Sequence, residues 1–344
     1  VDLMTLVAGI DDVRAAVAAA TIVTPVGGRT HWEVGGPTPV GDDVLEARAP
    51  GGIVTYDPAD LTATVGAGIT CAELADALAA QGQECPLDPA DGAATVGGVL
   101  ATGLSGHRRL RHGPLRDRVL EVRFVTADGR VVKGGGPTVK NVSGFDLPRL
   151  LVGSLGTIGV VVQTTLRCQP RADTAAWFAT GADPFTVRRN TYRPSCIAWD
   201  GARTLVLLEG IAADVAAERA AIGAPTTPVE APAWPAGPHR GRISVRPSAL
   251  ATLAPALDAA GARWLAEVGV GTVHVAADDE ATLAAARAAA TQCGGWLLRE
   301  AGAPGLDGFG RAMPNARLME RVRAAFDPRG KLSPGRFPHD VADD

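Results

Sequence analysis

The distribution of apolar and polar residues divides the chain into recognisable elements. Residues 9–20 (GIDDVRAAVAAA) carry an Ala-rich helical pattern that Asp11 or Asp12 would cap, and a short strand at 21–24 runs into Pro25-Val26-Gly27-Gly28-Arg29-Thr30. Two strands are expected at 51–57 (GGIVTYD) and 61–66 (LTATVG), split by the turn residues Pro58-Ala59-Asp60. The apolar spacing of 70–81 predicts an amphipathic helix, with Thr70 and Glu73 placed as a capping box and Gly82 as its stop. A strand at 119–126, an Asp128-Gly129 hairpin signal and a return at 130–133 follow a glycine-rich passage at 92–106. Residues 158–168 (IGVVVQTTLRC) form a further strand, closed by Pro170. From about Asp173 the pattern becomes strand then helix, at 204–221 and 272–290, with a Pro-rich segment at 225–238 between them. A last helix at 315–326 precedes Asp327-Pro328-Arg329-Gly330-Lys331-Leu332-Ser333-Pro334-Gly335-Arg336.

Composition adds bounds. The 344 residues allow two or three domains, and 46% hydrophobic with 20% charged residues is a globular balance. The 42 glycines and 25 prolines cluster without a period and read as many tight turns. A net charge of −4 argues against nucleic-acid binding by bulk electrostatics. The five cysteines, at 71, 85, 168, 196 and 293, fall at no C-x-x-C spacing, so no iron–sulfur or zinc cradle is expected, nor a disulfide framework. No signal peptide or apolar span is visible at the start or elsewhere, and the expected location is cytoplasmic, reaching the inner face of the membrane only through partners.

Three glycine-rich segments are candidates for holding a phosphorylated ligand: 25–30, 94–106 (ATVGGVLATGLSG) and Gly153-Ser154-Leu155-Gly156-Thr157-Ile158-Gly159. Glycine lets a backbone approach a ligand closely, and successive N–H groups in turns form anion nests. Each segment alone also reads as a turn or a packing loop. Val65-Gly66-Ala67-Gly68-Ile69-Thr70-Cys71 imitates a dinucleotide fingerprint, with Asp88 near the place of a ribose-binding acid. Cys71 stands where the third glycine belongs, however, and Glu84-Cys85-Pro86-Leu87 makes a poor parallel strand, so a Rossmann unit is disfavoured.

The joint order of these pieces is more specific than any one of them. Pro25–Thr30, Val65–Gly68, Leu87-Asp88-Pro89, TVGGVLATGLSGHRR, Gly113 with Arg116-Asp117, VKNVSGFDLPRLLVGSLGTIGV and FDPRGKLSPGRF together resemble the FAD-binding domain of the vanillyl-alcohol-oxidase (PCMH-type) flavoprotein family, and within it the FAD-binding subunits of bacterial glycolate oxidases. The resemblance is strong over 20–172, good over 315–337 and weak between them. It implies an α+β fold: a PCMH-type FAD-binding domain at 1–172 with subdomains near 1–50 and 51–172, an α+β cap at 173–305, and a segment at 306–344 returning to the first domain.

The resemblance also implies roles. Pro25, Gly27, Gly28, Arg29 and Thr30, with Thr95, Val96, Gly97 and Gly98, would wrap the FAD pyrophosphate, both segments presenting free N–H groups to it. Ala101, Thr102, Gly103, Ser105 and Gly106 would run along the ribityl chain and isoalloxazine. Asp88, Pro89, Gly113 and Asp117 would complete the cofactor site, Ile158, Gly159 and Val160 would bound the adenine, and Lys331 or Ser333 would return to the flavin. Thr30 stands where some relatives have a flavin-linking histidine, with His31 one place late, so the FAD is expected to be non-covalent. Relatives that oxidise 2-hydroxy acids use a Glu-His-Gly segment to take the hydroxyl proton. Here the nearest match is Arg299-Glu300-Ala301-Gly302, and the catalytic residues are unassigned.

His274, in an apparent strand, reads more readily as a packed side chain than as a base, and the arginines of 239–246 either clamp a carboxylate or are solvated. The run His107-Arg108-Arg109-Leu110-Arg111-His112 either meets anions or forms an exposed or subunit-contact loop. The resemblance implies oxidation of glycolate or D-lactate to the 2-oxo acid, within a complex holding a larger FAD subunit and an iron–sulfur subunit. The alternatives are a self-sufficient oxidase of another small alcohol and a non-catalytic FAD-binding scaffold. No metal site is expected.

Overall fold

The computed structural model describes residues 9–136, 145–313 and 315–337. Lys140-Asn141-Val142-Ser143-Gly144 and His339 lie outside the described residues. Helix Ile10–Ala19 begins at Gly9 with no side-chain cap; Asp11 and Asp12 sit in its first turn, acting through charge on the helix dipole and not as the expected cap. Strand Ile22–Pro25 pairs in parallel with Val44–Ala47, a strand the residue pattern did not mark, and Leu332 bridges to Val23, so the carboxy-terminal segment returns to this unit.

The main sheet of the first domain is five-stranded, in the order Ile53–Asp57, Thr62–Gly66, Val160–Arg167, Val119–Val125 and Val131–Gly135, with antiparallel neighbours throughout. This pairing excludes a βαβ dinucleotide unit at Thr62–Gly66, in line with the poor fingerprint. Ala63, Val65, Val122 and Phe124 pack against Leu74, Leu78, Val99 and Leu100 on one face, while Val125, Val160 and Val162 pack against Val13 and Val17 on the other. Helix Cys71–Ala79 carries the expected capping box, Thr70 accepting from the Glu73 amide and Glu73 accepting from the Thr70 amide. Reciprocal capping of this kind contributes on the order of 1 kcal/mol.

The glycine-rich passage is not a loop at its centre. Val96–Thr102 is a helix capped by Thr95 and ended by Gly103 in the left-handed conformation, φ 67°. Val96, Val99 and Leu100 fill one side of it, and burying that side against the sheet outweighs the low helix propensity of Gly97 and Gly98.

The second domain is an eight-stranded antiparallel sheet drawn from residues 174–301, in the order Thr227–Val229, Thr174–Thr180, Thr204–Gly210, Cys196–Trp199, Arg263–Glu267, Thr272–Ala277, His239–Ser244 and Trp296–Ala301. Alternation along the strands gives it two faces. Phe178, Val206, Ile243, Val273 and Leu297 pack against the helices Pro184–Asn190, Ala212–Ala221, Leu250–Ala259 and Glu280–Gln292. The opposite set, which includes Arg242, Glu267 and His274, turns toward the first domain, where Arg242 donates to the Ser105 carbonyl and Glu267 meets His107.

The basic run 107–112 lies at the junction of the two domains, with Arg109 exposed. Arg108 donates to Asp88 at 2.8 and 2.6 Å, to Glu84 at 2.7 Å and to Glu209 of the second domain at 3.2 Å. Arg111 donates to the Glu209 carbonyl at 2.6 Å. The five cysteines are unpaired, three of them buried, and burial raises the Cys71 thiol to about 12 and that of Cys168 to about 11.

Candidate cofactor and substrate site

A narrow cleft of about 80 Å³ lies where the 25–32 loop, helix Val96–Thr102 and the returning segment meet, and its walls include Gly27, Gly28, Arg29, Thr30, Thr95, Gly98, Ala101, Thr102, Leu155, Gly156, Ser333 and Arg336. Beyond it, between the two domains, lies a cavity of about 500 Å³ bounded by Asp88, Ser105, Gly106, Trp234, Arg240, Arg242, His274 and Glu300. Thr30, His31 and Thr102 belong to both, so cleft and cavity form one track.

The backbone of this track is built for close approach. A Cβ on Gly27 would collide with the Thr95 hydroxyl, and one on Gly28 with the Ala93 carbonyl, so the loop can lie against 93–95 only as glycine. Among the described residues, no hydrogen bond engages the N–H groups of Gly27, Gly28, Arg29 or Thr30. The second segment behaves differently from the expectation. Val96 and Gly97 donate to the Ile69 and Ala67 carbonyls at 2.9 and 2.7 Å, and Gly98 donates to Thr95 Oγ1 at 3.2 Å. Its amides are therefore already engaged, and the helix supplies a floor of small residues in place of an anion nest. Arg29, Leu155 and Ser333 along the cleft and Asp88 at the cavity hold positive φ (56°, 52°, 46° and 47°), a conformation that costs a non-glycine residue about 1–3 kcal/mol and persists at sites that use it.

The electrostatics favour an anion in the cleft. Arg29 is paired with Glu46 and stacks on Trp32. Arg336 is 8% exposed and donates to the Trp32 carbonyl at 2.7 Å and to Thr38 Oγ1, and no carboxylate among the described residues faces it. Burial, then Arg299 nearby, lowers its guanidinium to about 10, so it is charged at neutral pH. A buried cation without a counter-ion is costly and is relieved by a bound anion. At the junction, burial lowers the His31 imidazole, with Glu300 opposing and Arg242 reinforcing the effect.

A family model described as an FAD binding domain matches residues 2–135. Over residues 2–135 the chain is thus similar to FAD-binding domains. The chain is similar to the glycolate oxidase subunit GlcE of Escherichia coli (strain K12), 41% identical over 135 residues that make up 39% of each protein. It is similar to a D-lactate dehydrogenase of Archaeoglobus fulgidus, 39% identical over 40% of this chain and 31% of that protein. The matched segments thus span about two fifths or less of these relatives' own lengths. Over the whole fold, the structure of an alkyldihydroxyacetonephosphate synthase aligns with TM-score 0.69 at 14% identity, covering 94% of this chain and 73% of that one, and shares the α+β architecture of FAD-binding domain and cap.

The residues present fit FAD: unengaged loop amides and a lone buried cation for the pyrophosphate, and a continuous track of small residues onward to the cavity. Of the residues expected in the FAD-binding domain's site, Pro25, Gly27, Gly28, Arg29, Thr30, Thr95, Gly98, Ala101 and Thr102 line the cleft, and Asp88, Pro89, Ser105 and Gly106 line the cavity. The others lie elsewhere. Val96 is in the core, Gly97 packs on Ala67, and Gly103 ends the helix. Ile158 and Val160 are core residues, Gly159 abuts Phe124, and Leu155 and Gly156 just before them line the cleft instead. Gly113 ends the short helix Arg109–His112, and Asp117 lies within the turn Leu115–Arg118, facing Arg149.

Lys331 is a correction. Its amine donates to the carbonyls of Val17 and Ala20 at 2.5 and 3.0 Å, closing the end of helix Ile10–Ala19, while Ser333 reaches the cleft. Arg336 and Trp234 were missed. Arg336 carried a usable signal in the terminal SPGR, whereas Trp234 sits in a Pro-rich stretch that gave none. His239 accepts from the Ala303 amide through Nδ1 at 2.8 Å and so is a structural acceptor.

Proposed function

We propose that this chain is an FAD-dependent oxidoreductase subunit that oxidises a small 2-hydroxy acid such as glycolate or D-lactate to the 2-oxo acid and passes the electrons to a partner. The observation that carries this reading is the interdomain cavity, which joins the FAD cleft and sets Arg240 and Arg242 beside a histidine. A cavity of this size suits a compact substrate, and guanidinium groups suit a carboxylate. Arg242 is oriented by Glu300, at 3.1 Å from its Nε, and by the Ser105 carbonyl, at 3.1 Å from its Nη1. Its Nη2 makes no bond among the described residues and is the donor available to a substrate.

FAD held in this cleft would supply the two-electron oxidant for the substrate. Gly27–Thr30 and Arg336 would hold its pyrophosphate, and Ala101–Gly106 would flank the rest of it, non-covalently. A reduced flavin must pass its electrons on, and in the glycolate-oxidase-like reading the acceptors are a larger FAD subunit and an iron–sulfur subunit. The test is the visible spectrum of the purified chain, recorded anaerobically before and after adding glycolate or D-lactate. A flavin spectrum that bleaches supports the reading. A yellow protein that no 2-hydroxy acid bleaches refutes the substrate class, and a folded protein that takes up no FAD refutes the cofactor.

A further inference from the structure

We propose that His274 takes the hydroxyl proton of the substrate, with Glu267 as its positioning residue; this rests on the 2-hydroxy-acid reading above. The chain lacks a Glu-His-Gly histidine, which leaves that role open. Two histidines line the cavity, His31 and His274. His31 meets only the Thr30 hydroxyl, at 3.1 Å, and Arg240 and Arg242 lie near it, an environment that disfavours an imidazolium. His274 has a carboxylate: its Nε2 lies 3.3 Å from Glu267 Oε1, and the same oxygen lies 3.2 Å from His107 Nδ1.

Glu267 is 2% exposed. Burial pushes its carboxyl up, but the two imidazoles outweigh this and hold it at about 2, so it is ionised. An ionised oxygen only accepts, which places a proton on His274 Nε2 and leaves Nδ1 as the basic nitrogen. Burial, the largest influence, lowers His274 and keeps it neutral and ready to accept. The charged and titratable groups around it are Glu267 from strand Arg263–Glu267, Arg242 from His239–Ser244, Glu300 from Trp296–Ala301 and His107 from the interdomain run. Trp234 stacks on His107 at 3.8 Å between ring centroids and meets His274 edge-on at 3.9 Å, fixing both rings.

The substrate geometry follows from the sheet register. Arg242 and His274 are direct cross-strand partners, so their side chains leave the same face with Cβ atoms about 4.5–5.5 Å apart. A 2-hydroxy acid carries its carboxylate and hydroxyl on adjacent carbons, so Arg242 can hold the first while His274 meets the second. The O–H bond would break with its proton passing to His274 Nδ1, the oxygen electron pair would form the carbonyl, and the carbon-bound hydrogen would leave with two electrons as hydride, for which bound FAD would be the oxidant. Glu267 stabilises the imidazolium that results.

The experiment uses the full chain loaded with FAD, as wild type, His274→Gln and Glu267→Gln. It measures the anaerobic rate of flavin reduction and the affinity for oxalate across pH by calorimetry. His274→Gln is expected to slow reduction about 10²–10⁴-fold with the flavin spectrum unchanged. Wild-type oxalate affinity should fall as pH rises through the His274 transition, and this slope should vanish in His274→Gln. Glu267→Gln should slow reduction and move the slope to lower pH, and it carries the decision if His274→Gln does not fold. Wild-type reduction that His274→Gln leaves intact, or an oxalate slope that persists in it, overturns this proposal alone. A wild-type flavin that no 2-hydroxy acid reduces overturns the proposed function and this inference with it.

Discussion

Replacing Arg108 by Gln removes the cation at the centre of the domain junction while keeping much of the side chain's bulk. Arg108 is bonded to Asp88, Glu84 and Glu209, all four side chains being at most 24% exposed. Burial would raise the Glu209 carboxyl, but His112, Ser195 and the Arg108 guanidinium together hold it down at about 2 from an ordinary 4.5. His112 Nε2 stands 3.6 Å from Glu209 Oε2. At about 1.4 kcal/mol per unit, that displacement alone represents about 3 kcal/mol, shared among the three groups. Removing one partner of a buried ion cluster typically costs about 3–5 kcal/mol, and partial solvent access places Arg108→Gln near the lower end, about 3 kcal/mol.

A thermal melt at pH 7 should then fall by about 6–12 °C, for domains of 150–250 residues. The pH dependence should weaken. In the wild type, Glu209 has a depressed folded-state pKa, so its stabilisation is present above its unfolded value and is lost as pH falls toward 2. In the variant the cation that helps hold the Glu209 carboxyl down is gone, so less of this stabilisation is present above its unfolded value and less is lost as pH falls. A melting temperature within about 1 °C of wild type at pH 7, or an unchanged pH profile, would refute the assignment of Arg108 as the joint.

Gly28→Val should leave the chain folded but colourless, because its side chain would be driven into the Ala93 carbonyl and displace the 27–30 loop; the ratio of flavin to protein absorbance checks this. Lys331→Met should lower stability by about 2 kcal/mol through loss of its bonds to helix Ile10–Ala19, with FAD affinity unchanged; an equal loss of FAD would return Lys331 to the cofactor site. Arg336→Met should weaken FAD binding at least about tenfold, the effect of removing one charge-assisted contact, read by fluorescence titration. Acid precipitation should leave all FAD in the supernatant, and yellow pellets would disprove non-covalent binding.

Much of this protein was legible in its sequence wherever a local rule governs. The Thr70/Glu73 capping box, the Asp128-Gly129 hairpin and the strand–helix units at 204–221 and 272–290 depend on neighbours a few residues apart, and they stand where the pattern placed them. The order of glycine-rich segments likewise announced an FAD-binding domain. What local rules missed has a common cause. Helix Val96–Thr102 contradicts its own glycine content because burial of Val96, Val99 and Leu100 decides its conformation, and strand Val44–Ala47 exists because Ile22–Pro25 lies alongside it.

The site divides along the same line. The sequence alone determined which loops are free of side chains and hence able to approach a nucleotide, since the absence of Cβ is a property of each residue by itself. Only the tertiary structure decided what each remaining group does. It turned Lys331 toward a helix end, drew Arg108 into the domain junction, and left Arg336 buried with no counter-ion among the described residues. It also set Arg242 opposite His274 and brought Glu267 and His107 to the same ring. The charge, proton affinity and reach of such groups depend on burial and on partners more than a hundred residues away, and the fold alone supplies both.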